Sequence, residues 1–267
     1  MKYELREKSA KLKQLIYDYK SALVAFSGGT DSTLLLKIVC DALGTDNVLA
    51  ITTISQLLPA SELVEAKKLA KSIGVLHLTV STEELSNETF TNNSLDRCYF
   101  CKHLRYSKLL EFAKKQGFDL VLDGTNADDD LDFRPGTRAL EELGIKTPLR
   151  TVGLTKKEIR ILAKALGLKN WQKPSAACLA SRIPYGDIIT KEKLLIIEEA
   201  EDFLKNLGFG QLRVRHHGTT ARIEVEPEEF SSVTETAKQI VAYFKSLGYT
   251  NVTLDLQGFR SGSMNEK

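Results

Sequence analysis

Cysteine is scarce: four are spread over 267 residues. So few cannot build the dense disulfide framework of a small secreted domain. An excess of one charge is also missing. The chain has 37 Lys and Arg against 35 Asp and Glu, a formal net charge of +2. That balance disfavours a protein that lives on bulk nucleic acid or on an acidic membrane surface. With 17 glycines and 6 prolines, a collagen-like or low-complexity chain is excluded. No apolar run approaches the roughly 20 residues of a membrane-spanning helix. The longest, Ser21 to Phe26 and Val48 to Ile54, have the length of strands. The opening Met-Lys-Tyr-Glu-Leu-Arg-Glu-Lys has no apolar signal core, so the reducing cytoplasm is the expected home. What is present suffices to fold. At 42% hydrophobic the chain is not disordered, and its length fits one large or two modest domains.

The first half alternates helix and strand. Helical spacing is expected over Lys2–Tyr19, Asp31–Leu43, Ala60–Ile73 and Arg97–Gln116, the last three closed by Gly44, Gly74 and Gly117. Between them lie apolar runs at Ser21–Phe26, Val48–Ile54, Val75–Val80 and Asp119–Asp123, and Thr147–Val152 is a candidate fifth strand. Strands apolar on both faces and separated by helices imply an α/β fold with a parallel sheet. The second half differs. Lys156–Leu166 reads as a helix, Lys169–Gly186 as a loop and Thr190–Leu207 as a long helix. Gln211–His217 and Thr220–Val225 read as a hairpin around Gly218, followed by a helix over Pro227–Gly248 and a strand over Asn251–Leu256. This describes a smaller α+β domain, with the boundary placed between Tyr185 and Gly186.

Ser27-Gly28-Gly29-Thr30-Asp31-Ser32 joins a strand to a helix. Paired glycines let a backbone approach an anion, and the free N–H groups of the following helix point at it. Ser27 and Ser32 can donate hydroxyl bonds, and Asp31 beside a phosphate implies a metal ion between them. The loop is neither a Walker loop nor Gly-x-Gly-x-x-Gly. Asp123-Gly124-Thr125-Asn126-Ala127-Asp128-Asp129 follows a strand, where a parallel sheet places its ligand; Gly124 and Asp128 are the candidates there.

Cys98 and Cys101 share a helix face in its first turn, where the dipole favours thiolate. With Cys178 they could hold three irons of a [4Fe–4S] cluster and leave the fourth open. A structural zinc would also suit Cys-x-x-Cys, with His103 or Asp96 added. Cys40 sits in an apolar helix stripe and reads as core.

The phosphate loop resembles the PP-loop of ATP pyrophosphatases, a Rossmann-like fold that cleaves ATP between its α- and β-phosphates. Arg182-Ile183-Pro184-Tyr185-Gly186, Arg213-Val214-Arg215-His216-His217 and Thr253 to Asn265 narrow the resemblance to the LarE family of nickel-pincer nucleotide biosynthesis, from about Leu23 to Asn265. The resemblance implies residues 1–185 as the PP-loop ATP pyrophosphatase domain and 186–267 as a domain for substrate binding and oligomerisation. It implies adenylation of the carboxylates of pyridinium-3,5-biscarboxylic acid mononucleotide and their conversion to thiocarboxylates, with ATP and Mg2+, in a homo-oligomer. Better-known members sacrifice one cysteine, at a position matching Cys178. The added Cys98 and Cys101 resemble a cluster-dependent branch, in which a [4Fe–4S] centre carries the sulfide; the sulfide donor itself is not legible. Ser181 and Glu201 match positions near the family's active site.

For the substrate phosphate the candidates are Arg213 and Arg215, which alternate on one strand and so share a face, with Arg182 and Arg260 as further ones. Lys102 could neutralise ATP phosphate or cluster charge. The competing expectation is a cluster-dependent tRNA thiolase of the PP-loop class. The small net charge and the lack of a basic arm count against it.

Overall fold

A computed structural model describes residues 3–130, 135–174 and 177–260. The chain forms two compact units. One comprises Met1–Glu84 with Leu95–Ala176, the other Leu85–Ser94 with Ala177–Lys267. The second unit therefore begins at Ala177, ahead of the Tyr185–Gly186 position read from the sequence, and takes in a segment of the first half.

Along the chain run α1 (Tyr3–Tyr17), β1 (Ala22–Ala25), α2 (Thr30–Leu43), β2 (Val48–Ile54), α3 (Ala60–Ile73) and β3 (Leu76–Ser81). The short α4 (Glu88–Thr91) belongs to the second unit. The first unit continues with α5 (Arg97–Lys115), β4 (Val121–Leu122), α6 (Gly136–Glu142), α7 (Pro148–Thr151) and α8 (Lys156–Ala165). Its strands form a parallel sheet in the order β3-β2-β1-β4. Side chains alternate across β1. Ala22 and Val24 join α1, α2 and α8 residues such as Leu12, Leu35 and Ile159 on one side. Leu23 joins Leu109 of α5 and Leu140 of α6 on the other. Both faces are covered, so the strands are continuously apolar. Cys40 lies in this core, and burial pushes its thiol up to about 11.

Thr147–Val152 is not a strand. Proline at the first helical position loses no bond and has its φ preset, so Pro148 starts α7. Among the described residues only Lys146 extends the sheet, as an isolated parallel bridge to Leu122.

The second unit adds α9 (Lys191–Asn206), β5 (Leu212–His217), β6 (Thr220–Val225), α10 (Phe230–Glu235), α11 (Ala237–Ser246) and β7 (Asn251–Leu254). β5 and β6 form the expected antiparallel hairpin, and β7 pairs parallel to β6. The helix expected over Pro227–Gly248 is divided at Thr236, whose hydroxyl bonds back to the Ser232 carbonyl at 2.7 Å, a contact that bends helices. Leu212 and Val214 of β5 pack with Ala200 and Leu204 of α9 and Phe244 of α11. The opposite face of β5 carries Arg213 and Arg215.

Candidate active site

The turn between β1 and α2 is built for close approach. Gly28 has φ +72°, and a Cβ there would stand 3.1 Å from the backbone and side chain of Ala66 on α3. Gly29 caps α2 with φ −73° and ψ 163°. A Cβ at Gly29 would meet only Ser27 Oγ, at 3.3 Å. Ser27 and Ser32 brace the loop through a 3.1 Å hydroxyl contact, and Ser32 Oγ donates to the Gly29 carbonyl at 3.1 Å. The first N–H groups of α2 have no acceptor within the helix and, with its dipole, suit a phosphate.

Asp31, in the first turn of α2, receives Lys156 Nζ at 2.6 Å and Asn126 Nδ2 at 3.2 Å. Burial raises its pKa, and the charge of Asp129 adds to that, against the lowering effect of Lys156 and Asn126. Asp128 accepts the backbone N–H of Lys156 at 2.8 Å. Lys156 thus bridges both expected carboxylates, yet no local pattern marks it: its partner Asp31 is 125 residues away. The local signal was only the capping box of Thr155 and Glu158, which fixes the start of α8. Gly124 has a packing role that the sequence did not reveal. A Cβ there would lie 3.0 Å from the Ser32 nitrogen, so β4 can leave the sheet across α2 only as glycine.

Asn170, also absent from the sequence candidates, ties down the loop. Its Nδ2 donates to the Gly28 carbonyl at 3.0 Å and to Thr33 Oγ1 at 2.9 Å, and its backbone carbonyl accepts Thr30 Oγ1 at 2.9 Å. All of this is buried. Asn170→Ala is expected to destabilise the protein by about 1–3 kcal/mol, since the Gly28 carbonyl loses a buried partner. It should also weaken ATP binding; thermal denaturation with and without ATP checks both.

At the start of α5, Cys98 and Cys101 are half-buried, outside any disulfide and one turn apart. Lys102 packs against Gly136, where a Cβ would come within 2.9 Å of its Cδ. Asp123, at the end of β4, accepts Thr125 N–H at 2.8 Å and the hydroxyls of Thr125 and Tyr106. Burial alone would raise its pKa. The charge of Lys102 and these hydrogen bonds outweigh burial and hold it below the usual carboxylate range. Lys102 therefore faces the carboxyl end of the sheet.

The second unit gathers the remaining candidates. Cys178 opens a short 3-10 turn, Leu179–Arg182, and is half-buried. Arg182 and Glu201 form a buried fork at 2.8 and 2.9 Å. Arg215 pairs with Glu224 at 2.8 Å and also donates to the Ser181 carbonyl at 3.0 Å. Glu224 belongs to the Ala221-Arg222-Ile223-Glu224 stretch of the family resemblance, where no role could be read for it. It lies on β6 two positions from Arg222, which shares it at 3.0 Å. Arg213 stacks 5.0 Å above the Phe259 ring. Burial, then the neighbouring charges of Arg182 and Arg215, push its pKa down to about 10. Arg260 donates to the Gly258 carbonyl at 3.3 Å. Ser261 to Asn265 of the terminal motif lie outside the described residues.

The first unit thus brings together Ser27, Gly28, Gly29, Asp31, Ser32, Gly124 and Asp128. The second brings together Cys178, Ser181, Arg182, Glu201, Arg213 and Arg215. Among the described residues no group of three or more His, Cys, Asp or Glu is arranged to hold a metal ion. None of the described helices is long and apolar enough to cross a membrane.

Residues 4–134 match the model of the PP-loop domain. An uncharacterised protein of Synechocystis sp. is 41% identical over 98% of both chains. Pyridinium-3,5-bisthiocarboxylic acid mononucleotide synthase of Lactiplantibacillus plantarum is 38% identical over 98% of this chain and 95% of its own. The tRNA-specific 2-thiouridylase of Rickettsia bellii is 26% identical over 65% of this chain and 58% of its own, which does not favour the tRNA thiolase reading. The matches that span the second unit as well as the phosphate loop decide the assignment: this chain belongs to the LarE family of PP-loop, ATP-dependent sulfurtransferases.

Proposed function

We propose that the protein adenylates the carboxylates of pyridinium-3,5-biscarboxylic acid mononucleotide and replaces an oxygen of each with sulfur. The observation that carries this reading is the cationic group around the Cys178 turn. Arg213 and Arg215 share one face of β5 there, and Arg213 lies 5.0 Å over the Phe259 ring, its pKa pushed down to about 10 by burial and by the charges of Arg182 and Arg215. Crowded guanidinium groups with a depressed pKa suit an anion such as a mononucleotide phosphate. The 38% identity to a synthase of the bisthiocarboxylic product supports the same substrate.

The chemistry divides between the residue groups. A substrate carboxylate oxygen attacks the α-phosphorus of ATP and expels pyrophosphate. Ser27, Gly28, Gly29 and Ser32 cradle that leaving group on the first turn of α2. Asp31 and Asp128 are the carboxylates that would hold Mg2+, and Lys102 adds positive charge at the sheet end. A sulfur nucleophile then adds to the acyl carbon, and AMP leaves with the original oxygen. Arg213 and Arg215 hold the phosphate, with Arg260 next to Phe259, the ring Arg213 stacks on; Ser181 and Glu201 shape the Cys178 turn.

The sulfur is proposed to be sulfide supplied by a [4Fe–4S] cluster on Cys98, Cys101 and Cys178. Their spacing, and the fact that none of the three is in a disulfide, support it. Cys98 and Cys101 belong to the first unit and Cys178 to the second.

The test is anaerobic purification, visible absorbance for an iron–sulfur band, and incubation with ATP, Mg2+ and the biscarboxylic mononucleotide. Thiocarboxylate product by mass spectrometry is expected. Its absence, with transfer to unmodified tRNA instead, would overturn the reading. Loss of the elements of hydrogen sulfide from Cys178 after turnover would replace the cluster with a sacrificed cysteine.

A further inference from the structure

We propose that Arg182 is a positioning residue for sulfur delivery: it clamps the 177–181 turn, and with it the Cys178 thiol, to strand β5 through Glu201. This rests on the reading above, in which Cys178 serves the sulfur step.

Arg182 is 2% exposed, and the bonds it makes are internal to the unit. Nε and Nη2 form the fork on Glu201, at 2.8 and 2.9 Å. Nη1 reaches the carbonyls of Ala177 at 2.8 Å and Cys178 at 3.0 Å, and lies 3.0 Å from Ser181 Oγ. A guanidinium so used leaves little for a substrate phosphate, the role its residue type suggested. Its partner explains the purpose. Glu201 Oε1 also accepts the Val214 N–H, at 3.1 Å. Val214 stands between Arg213 and Arg215 on β5. One buried carboxylate therefore fixes both the strand that carries the phosphate-binding arginines and the turn that carries the thiol. Arg215 reinforces this from the strand side by holding the Ser181 carbonyl at 3.0 Å.

The consequence is geometric. Sulfur and acyl carbon must meet at about 3–3.5 Å, and a misplacement of about 1 Å can cost about 100-fold. The Arg182–Glu201 pair sets the spacing between Cys178 and the arginines that seat the substrate. A lysine keeps the charge but cannot reproduce the planar fork and also reach the Ala177 and Cys178 carbonyls and the Ser181 hydroxyl.

The experiment compares Arg182→Lys with the double variant Arg182→Met, Glu201→Met. It measures kcat and KM for the mononucleotide, the thermal midpoint, and the rate of Cys178 alkylation by iodoacetamide, read by peptide mass spectrometry. In Arg182→Lys, kcat is expected to fall about 100-fold while KM stays within about three-fold. Alkylation of Cys178, measured after the iron is removed with a chelator, should speed up about 10-fold as the turn loosens, with Cys98 and Cys101 as unchanged controls. Where Arg182→Lys is too unstable to assay, the double variant carries the comparison, because an apolar pair of similar volume can replace a buried ion pair without loss of stability. It should fold and still lack turnover.

A rise in KM with kcat unchanged would make Arg182 a substrate ligand and overturn the proposal. So would a double variant that regains turnover along with stability, since the pair would then be merely structural. If the wild-type protein thiolates no mononucleotide, the functional reading fails by itself. The alkylation rate then decides: unchanged Cys178 reactivity in Arg182→Lys overturns the clamp, and faster reactivity upholds it.

Discussion

Cys178→Ala is expected to remove thiolation, by at least about 1,000-fold, while leaving ATP chemistry in place. The two activities depend on different residues. The phosphate loop, Asp31 and Lys156 belong to one compact unit, and Cys178 to the other. The substitution removes only a sulfur. The bonds that hold the turn are made by the Cys178 carbonyl, which accepts from Ser181 Oγ at 2.8 Å and Arg182 Nη1 at 3.0 Å, and alanine keeps them. The fold should therefore change by no more than about 0.5 kcal/mol. Mononucleotide-dependent exchange of labelled pyrophosphate into ATP should persist, and thiocarboxylate should vanish. Cys40→Ala is the control. That thiol is buried among Ile38, Val39 and their neighbours and is held protonated at neutral pH by its pKa of about 11. It should lose some stability and no activity. Thiolation that survives Cys178→Ala would move the sulfur step to another residue.

Much of the fold could be read because it is local. α3 and β2 occupy the spans their hydrophobic pattern predicts, and Gly44 and Gly74 end helices as glycines with positive φ do. The phosphate loop was legible for the same reason, since six consecutive residues carry it. The failures are non-local. Thr147–Val152 has the composition of a strand, yet Pro148 fixes a helical start there. Residues 85–94 join the second unit because the Asn93 side chain bonds the Pro184 carbonyl at 2.6 Å, across 91 positions. Lys156 and Asn170 complete the nucleotide loop from positions more than a hundred residues beyond it. Arg182 shows a subtler limit. Residue type marked it as a phosphate ligand, but a carboxylate 19 residues later captures its fork. A hydrogen-bonding group seen from one side does not say which partner will take it.

The two loop glycines should fail in different ways when changed to alanine. Gly28→Ala forces a side chain into φ +72° and against Ala66 backbone at 3.1 Å, where α3 has no flexible end to give way. Strain of this kind costs about 1–3 kcal/mol, and the loop that shifts to relieve it would no longer match a phosphate. Both the thermal midpoint and ATP binding should drop. Gly29 already has an ordinary extended backbone, and its new Cβ would meet only the Ser27 hydroxyl at 3.3 Å. Gly29→Ala should therefore stay within about 0.5 kcal/mol of the parent in stability. Yet Gly29 caps α2 at the point where an anion meets the helix N–H groups, and a methyl group there keeps it away. ATP affinity measured by calorimetry should fall about 10-fold or more, equivalent to about 1.4 kcal/mol. Stability loss without affinity loss at Gly29 would mean that the glycine serves packing. Loss of affinity at unchanged stability would mean that this backbone is the surface the phosphate touches.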